Sequence, residues 1–183
     1  MLNLTNLDAI EALYDTAGAL HYGEGVSQLE HALQCADLAR AQGEAPSLII
    51  AALLHDIGHL VEDEAEVAQF EVDDRHEATG VRLLSSLFGP EVLQPIALHV
   101  AAKRYLCWDN PKYLTSLSPA SQASLRLQGG PYSREQAEHF ERLPYFREAV
   151  TLRTFDDMGK RDETSTVQFR DFLPMMQALL IGA

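Results

Sequence analysis

Histidine and aspartate side chains stand where the sequence is otherwise strongly apolar. His55 and Asp56 interrupt the apolar run LIIAALLHDIGHL. Burying an imidazole beside a carboxylate is costly unless both groups are paired or bound to a metal. His31, His76 and His99 each lie among apolar residues on a separate predicted helix, and helical bundles build metal sites from inward-facing side chains of several helices. The pattern therefore predicts a buried metal site, with a hydrogen-bonded His–Asp pair as the alternative.

The number of candidate ligands indicates two ions rather than one. A single ion held by one histidine, the His55–Asp56 pair and a late aspartate would use four ligands, and this chain offers two further histidines. Two ions bridged by the Asp56 carboxylate would use every ligand and leave positions for water, substrate or oxygen. Imidazole and carboxylate without thiolate suit iron or manganese. Asp157 is a rival to Asp156 that spacing alone does not exclude. The six predicted ligands are His31, His55, Asp56, His76, His99 and Asp156.

Two further side chains follow the predicted ligands by one helical turn. His59 comes four residues after His55 and would share its helix face. It could be a ligand, a hydrogen-bond partner of a ligand or a substrate contact, and the full ligand count favours the substrate contact. Lys103 stands four residues after His99. A lysine is usually solvated, but near two metal ions its ammonium offers a partner for an anionic oxygen.

Helical periodicity runs through most of the chain, which predicts an all-α bundle forming a single domain over residues 1–183. Asn6 is a candidate cap for the first helix, Ser47 for the third, and Ser118-Pro119 is typical of a helix start. The acidic segment 62–74 is expected to be a loop that could act as a lid. The predicted helices cover residues 7–17, 29–41, 48–60, 76–87, 92–105, 134–139 and 145–157.

Composition narrows the possible functions. A chain of 183 residues with a formal net charge of −13 has no basic stripe for nucleic acid, so a small anionic substrate would need a local positive site. Two cysteines indicate no disulfide framework. The acidic N-terminus does not look like a signal peptide, and no apolar run could span a membrane. We therefore expect a cytoplasmic protein of unknown oligomeric state.

The motifs themselves resemble a known family. The order H…HD…H…D is similar to the HD superfamily of metal-dependent phosphohydrolases. Longer strings resemble the HD-domain oxygenases that cleave carbon–phosphorus bonds in bacterial phosphonate catabolism, and more distantly myo-inositol oxygenase. This resemblance extends over residues 22–160. The strings that carry it are QLEHALQCA, AALLHDIGH, HVAAKRYL, LQGGP and TFDDMGK.

The resemblance implies a mixed-valent Fe(II)/Fe(III) pair held by the six predicted ligands, with O₂ as cosubstrate. One iron would bind a 1-hydroxyphosphonate through its hydroxyl and a phosphonate oxygen, and the other would bind O₂, so that hydrogen is removed from C1 and phosphate and a carboxylate are released. His59, Lys103 and Ser121 match positions that contact the phosphonate in that family. Arg153 is a further candidate contact, with a surface salt bridge as the alternative.

Tyr22 and Glu24 match a tyrosine and a glutamate that close over the site in that family before substrate arrives. Their spacing here is one residue shorter than in the aminophosphonate-cleaving members. We therefore expect 1-hydroxy-2-(trimethylammonio)ethylphosphonate as substrate, giving phosphate and glycine betaine. The 2-amino analogue, giving glycine, is the first alternative. A dinuclear HD phosphohydrolase is the second, and a degenerate module that only binds a ligand is disfavoured by the intact ligand set.

Overall fold

A computed structural model describes residues 4–21, 25–61, 75–162 and 164–182. Within these ranges the chain forms ten α-helices, two 3₁₀-helices and a single isolated β-bridge between Phe88 and Leu180, which confirms the all-α prediction. The α-helices are α1 (Leu7–Ala17), α2 (Gln28–Ala41), α3 (Pro46–Leu54), α4 (His76–Leu84), α5 (Pro90–Asp109), α6 (Pro111–Ser116), α7 (Pro119–Leu127), α8 (Arg134–Phe140), α9 (Phe146–Met158) and α10 (Leu173–Ala178). The 3₁₀-helices cover Ile57–Val61 and Phe169–Phe172.

Local sequence signals explain most of the helix starts. Asn6 accepts a hydrogen bond from the Ala9 amide at 2.8 Å, and Ser118 caps α7 in the same way, as predicted. Ser47 does not cap α3, because Pro46 already occupies the first turn and Ala45 takes the cap position. Proline suits a first turn since its missing N–H would have no partner there. The short helix α6, inside a segment rich in Pro, Ser and Gly, was not predicted.

Helix α3 forms the centre of the bundle. Its sequence PSLIIAALL is buried from Leu48 to Leu54, as expected for a helix that is apolar on all sides. Helices α2, α5 and α9 pack around it, and α1 is tied to its end by the Tyr14 hydroxyl, which donates to the Leu53 carbonyl at 2.9 Å. Three of the four helices that carry predicted ligands therefore pack against one buried apolar helix.

The expected continuous helix through the HDIGH motif is broken. Helix α3 ends at Leu54, and the chain continues as a 3₁₀-helix in which the His59 amide donates to the Asp56 carbonyl at 3.0 Å. Gly58 lies so close to α4 that an added Cβ would be 2.0 Å from the His76 carbonyl oxygen. The tighter winding lets the HD pair leave the helix axis and brings the start of α4 against it, which the apolar periodicity alone did not predict.

The long helix α5 joins this centre to an outer layer. Its inner face carries His99 and Lys103, while Tyr105 packs with Phe140 and Phe146 in a separate aromatic cluster. Pro95 lies inside the helix, which begins at Pro90, earlier than the predicted start. In the part of the chain that the structure describes, no helix combines the length and apolarity needed to cross a bilayer.

Candidate metal centre

The six predicted ligands come together in the interior of the bundle. Helices α2, α4, α5 and α9 supply one ligand each, and the turn after α3 supplies two. Five of the side chains are buried, whereas the Asp56 side chain is 16% exposed. The ligands, in chain order, are His31, His55, Asp56, His76, His99 and Asp156.

One group of donor atoms, the first half of the site, consists of His31, His55, Asp156 and the Oδ2 atom of Asp56. His31 Nε2 lies 3.3 Å from His55 Nε2, 3.5 Å from Asp56 Oδ2 and 3.4 Å from Asp156 Oδ1. His55 Nε2 lies 3.4 Å from the same Asp56 oxygen. Metal–ligand bonds of about 2.1 Å separate neighbouring ligand atoms by roughly 3.0–3.4 Å. The first half therefore has the dimensions of a metal site.

The second half of the site consists of His76, His99 and the Oδ1 atom of Asp56. The two imidazole Nε2 atoms are 3.1 Å apart, and Asp56 Oδ1 lies 3.4 Å from His76 Nε2 and 3.6 Å from His99 Nε2. Two histidines and one carboxylate are the donor set typical of non-haem iron oxygenases. Since each Asp56 oxygen faces a different half, this carboxylate is placed to bridge two ions.

The orientation of the imidazoles favours cations between them. The Nδ1 atoms of His31, His55 and His99 lie 2.7–2.9 Å from the carbonyl oxygens of Gly159, Ala52 and Ile96. Each of these bonds requires a proton on Nδ1, so a neutral imidazole directs its Nε2 lone pair into the site. Lone pairs that face each other at close range repel unless a proton or a metal cation lies between them, so the donor set fits metal ions.

The two aspartates supply the negative charge. Burial by itself would raise the pKa of the Asp56 carboxyl, but His55 and His31 hold that pKa well below its usual range. Burial also opposes ionisation of Asp156, whose pKa is nevertheless lowered well below the usual range by the charges of Arg153 and Lys160. Both carboxylates are therefore ionised at neutral pH and available as ligands.

The structure distinguishes Asp156 from its neighbour. Asp156 lies in the site, whereas Asp157 points away from it and accepts hydrogen bonds from Arg153 and Tyr113. Successive helical residues project about 100° apart, so only one of the two aspartates can reach the histidines. The assignment that spacing left open follows from the direction in which α9 packs.

Cys35 lies beside the first half and was not singled out from the sequence. Its Sγ atom is 3.7 Å and 3.9 Å from the two ring nitrogens of His31, and it donates to the Phe155 carbonyl at 3.4 Å. Burial raises the pKa of the thiol, which disfavours the thiolate that metals bind. Cys35 therefore packs against the predicted ligand His31, and its position four residues after His31 on the same helix could have identified it.

Cationic and hydroxyl groups gather next to the first half. Lys103 donates to the Ser124 hydroxyl at 2.8 Å, and the Ser121 hydroxyl accepts from Arg153 at 3.4 Å and from Lys160 at 3.1 Å. Lys103, Ser121 and Arg153 were expected here, whereas Lys160 and Ser124 were missed. Lys160 follows Asp156 by four residues, a spacing that could have identified it. Together these groups form a positive patch in an otherwise acidic chain.

His59 takes a different place from the one expected on a continuous helix. Its ring stacks on the His76 ring, with centroids 4.0 Å apart and an interplanar angle of 22°. His59 therefore lies against the second half of the site and is half-buried. The predicted residues Tyr22 and Glu24, and the acidic segment 62–74, lie outside the described residues.

Known proteins with similar sequences show the family of this chain. A family model described as the HD domain matches residues 29–155. The chain belongs to the HD-domain family. It is 38% identical over 182 residues to the glycine-betaine-forming 1-hydroxy-2-(trimethylamino)ethylphosphonate dioxygenase of Leisingera caerulea, a match that covers 98% of this chain and 93% of that protein.

A second relative is the hydroxymethylphosphonate dioxygenase of Gimesia maris, which is 48% identical over 145 residues, or 78% of this chain and 72% of that protein. An uncharacterised protein of Acanthamoeba polyphaga mimivirus is 36% identical over 161 residues, covering 86% of this chain and 74% of that protein. These similarities confirm the resemblance to the HD-domain oxygenases of phosphonate catabolism on which the sequence interpretation relied.

Proposed function

We propose that this chain is a non-haem diiron oxygenase that uses O₂ to cleave the C–P bond of 1-hydroxy-2-(trimethylammonio)ethylphosphonate, releasing phosphate and glycine betaine. The observation that carries the proposal is the pair of donor sets joined by one carboxylate, Asp56, beside the patch that contains Lys103 and Ser121. The similarity to the glycine-betaine-forming dioxygenase over nearly the whole chain supports this substrate.

Two irons fit the donor set. The second half offers two histidines and one carboxylate and the first half two histidines and two carboxylates, all nitrogen and oxygen donors that suit iron. Bound iron would supply the redox chemistry with O₂ that removes hydrogen from C1. We further propose that one ion is Fe(II) and the other Fe(III), since a mixed-valent pair is what the family resemblance implies.

The overall reaction balances without another reductant. The C–P bond breaks, and one oxygen atom of O₂ is added to carbon and the other to phosphorus. The neutral CH(OH)–PO₃H₂ group has four hydrogens, of which one is found in the carboxylic acid and three in phosphoric acid. Carbon gives up the electrons that O₂ accepts. Direct hydrolysis would require a carbanion as leaving group, so oxidation at the neighbouring carbon is the easier route.

The residues of the chain bind and orient the anionic end of the substrate. Lys103 is 3% exposed, so its ammonium would attract a phosphonate oxygen with little screening by water. The Ser121 hydroxyl accepts hydrogen bonds from two cations, which leaves its own proton free to donate to the same anion. His59, beside His76, would contact the substrate from the second half.

A smaller hydroxyphosphonate is the second candidate substrate. The hydroxymethylphosphonate dioxygenase is more identical to this chain, although over a shorter match. Both substrates share the hydroxyl and phosphonate groups that the site would bind, and they differ only at C2. The cytoplasmic location expected from the sequence stays a prediction.

The proposal is tested by measuring phosphate release from iron-loaded protein, with and without O₂, on three substrates: the trimethylammonio compound, its 2-amino analogue and hydroxymethylphosphonate. We expect O₂-dependent release, fastest with the trimethylammonio compound, and glycine betaine in equal amount. Asp56→Asn should be inactive, while Asp37→Asn, which changes an exposed carboxylate paired with Arg40, should retain activity. Faster turnover of hydroxymethylphosphonate would show that this compound, rather than the trimethylammonio compound, is the preferred substrate. Equal phosphate release without O₂ would show that the chain is a phosphohydrolase and not an oxygenase.

A further inference from the structure

Arg153 donates four hydrogen bonds to protein groups beside the metal centre. It is 3% exposed. Its Nη1 atom donates to Asp156 Oδ2 at 2.6 Å, its Nε atom to the Tyr113 hydroxyl at 3.0 Å, and its Nη2 atom to Asp157 and to Ser121. A guanidinium group has five N–H bonds, and four of them are assigned to protein atoms.

These bonds fix the position of one predicted ligand. Arg153 holds the Oδ2 atom of Asp156, while Asp156 Oδ1 lies 3.4 Å from His31 Nε2. A carboxylate bound on one oxygen by a rigid guanidinium has lost the freedom to rotate, which keeps the second oxygen directed at the donor atoms of the first half. Hydrogen-bond partners of this kind orient metal ligands and tune their donor strength.

Arg153 is in turn held from the outside by two residues that do not reach the metal centre. The Tyr113 hydroxyl accepts from Arg153 Nε and donates to Asp157 Oδ2, while Asp157 Oδ1 accepts from Arg153 Nη2. Tyr113, Asp157 and Arg153 thus close a ring of three hydrogen bonds. Tyr113 comes from α6, a helix without buried residues, and packs against the small cluster of Cys107, Leu117 and Leu125.

The charges of the ring have a second effect. One guanidinium lies between two carboxylates, so Asp157 offsets part of the positive charge that Arg153 would otherwise direct at Asp156. Without that compensation the full charge of Arg153 would draw electron density from Asp156 and weaken it as a metal ligand. Asp157 therefore keeps its neighbour a strong donor as well as a well-oriented one.

We infer that Tyr113 and Asp157 are positioning residues, which act through Arg153 to aim Asp156 at the ion of the first half. The inference rests on the proposed function only in taking Asp156 as a metal ligand. It does not depend on the identity of the substrate. The fifth N–H of Arg153 could still make the predicted contact with the phosphonate.

The test measures iron binding without turnover. Wild type, Tyr113→Phe and Asp157→Asn are titrated anaerobically with Fe(II) against a coloured chelator. The matched control is Tyr105→Phe, which also removes a tyrosine hydroxyl that donates to a carboxylate, Glu141, at 2.9 Å in the separate aromatic cluster. The thermal midpoint of each metal-free chain records purely structural damage.

We expect the dissociation constant of one of the two ions to rise about 10-fold in Tyr113→Phe and about 100-fold in Asp157→Asn. The other ion should bind as in wild type, and Tyr105→Phe should lower the thermal midpoint without changing either constant. Equal weakening of both ions, an equal shift in Tyr105→Phe, or unchanged constants in both test variants would overturn the positioning role. Two ions bound tightly by a wild-type chain that releases no phosphate would overturn the proposed function alone.

Discussion

The two halves of the metal centre differ in how their predicted ligands are held. In the first half, His31 and His55 are each fixed by a backbone carbonyl, and Asp156 is fixed by Arg153 and faces Lys160 at 3.3 Å. In the second half, His99 is fixed by the Ile96 carbonyl. His76 begins α4 directly after a residue with φ of 52° and stacks on His59.

The difference in the number of donors points the same way. The first half offers two histidines and two carboxylates, whereas the second offers two histidines and the shared Asp56 alone, so the ion of the first half has one more protein ligand. We therefore expect the first half to fill first and the second half to hold the ion that is more easily lost. Substitutions at Asp56, Gly58, Gly159 and Lys103 test this difference between the two halves. They are given in order of decreasing expected effect on activity.

Removing the bridge should abolish the distinction between the halves. Asp56→Asn keeps the shape of the side chain but removes the charge that both ions share, so we expect less than one iron per chain and a fall in activity of about 10³-fold or more. Metal analysis after gel filtration, beside an activity assay, measures both. Retention of two irons by this variant would contradict the bridging role.

Gly58→Ala should damage the second half selectively. A Cβ at this position would lie 2.0 Å from the His76 carbonyl oxygen, and since that atom is backbone, α4 itself must shift and carry His76 with it. We expect about one iron per chain, activity reduced about 100-fold and a free energy of unfolding lowered by about 3 kcal/mol. Gly80→Ala is the control, because its Cβ would lie 3.3 Å from the Ile57 Cγ2 methyl and only in ordinary van der Waals contact, at 3.6 Å and 3.9 Å, with the backbone atoms Gly58 N and His55 O. Two irons per chain in Gly58→Ala, or one iron per chain in Gly80→Ala, would contradict the claim that the contact between Gly58 and His76 positions the second half.

Gly159→Ala should damage the first half, and in a way that can be repaired. Its carbonyl fixes His31, and an added Cβ would lie 2.5 Å from the sulfur of Cys35. We expect about a 10-fold loss of activity, with partial recovery in the double variant with Cys35→Ala because the clashing sulfur is removed. A double-mutant cycle measures the coupling, and purely additive losses would show that the clash is not what displaces His31.

The pH dependence should separate substrate binding from metal retention. Burial, followed by the repulsion from Arg153, lowers the pKa of Lys103 to about 8. The charged form binds the phosphonate, so kcat/KM should fall as the pH rises through about 8, while iron content stays constant. Lys103→Arg keeps its charge at alkaline pH and should remove this limb of the profile. A limb that persists unchanged in Lys103→Arg belongs to another group.

The sequence was most informative where chemistry conflicts with burial. Polar residues inside apolar helices have few explanations, so the residue pattern alone identified His31, His55, His76 and His99 as candidate ligands. The all-α fold follows from periodicity in the same way. Asp156 could be proposed but not separated from Asp157, because the direction of α9 is set by packing.

Tertiary contacts could not be predicted from residue type and periodicity. The end of α3 at Leu54 depends on the close approach of Gly58 to His76, two residues that are far apart in the sequence. The ring of Tyr113, Arg153 and Asp157 depends on where α6 lies, and that short helix gave no periodic signal. Residues that affect the site only through other residues could therefore not be predicted from the sequence.

One experiment tests the central claim of a bridged, unequal pair most directly. Phosphate release from 1-hydroxy-2-(trimethylammonio)ethylphosphonate under O₂ is measured on chains reconstituted with increasing iron, from none to three equivalents. If the first half fills first and both ions are needed, activity stays near zero up to about one equivalent and then rises to a plateau at two. A rise that begins with the first iron and reaches its plateau at one equivalent would contradict the dinuclear centre.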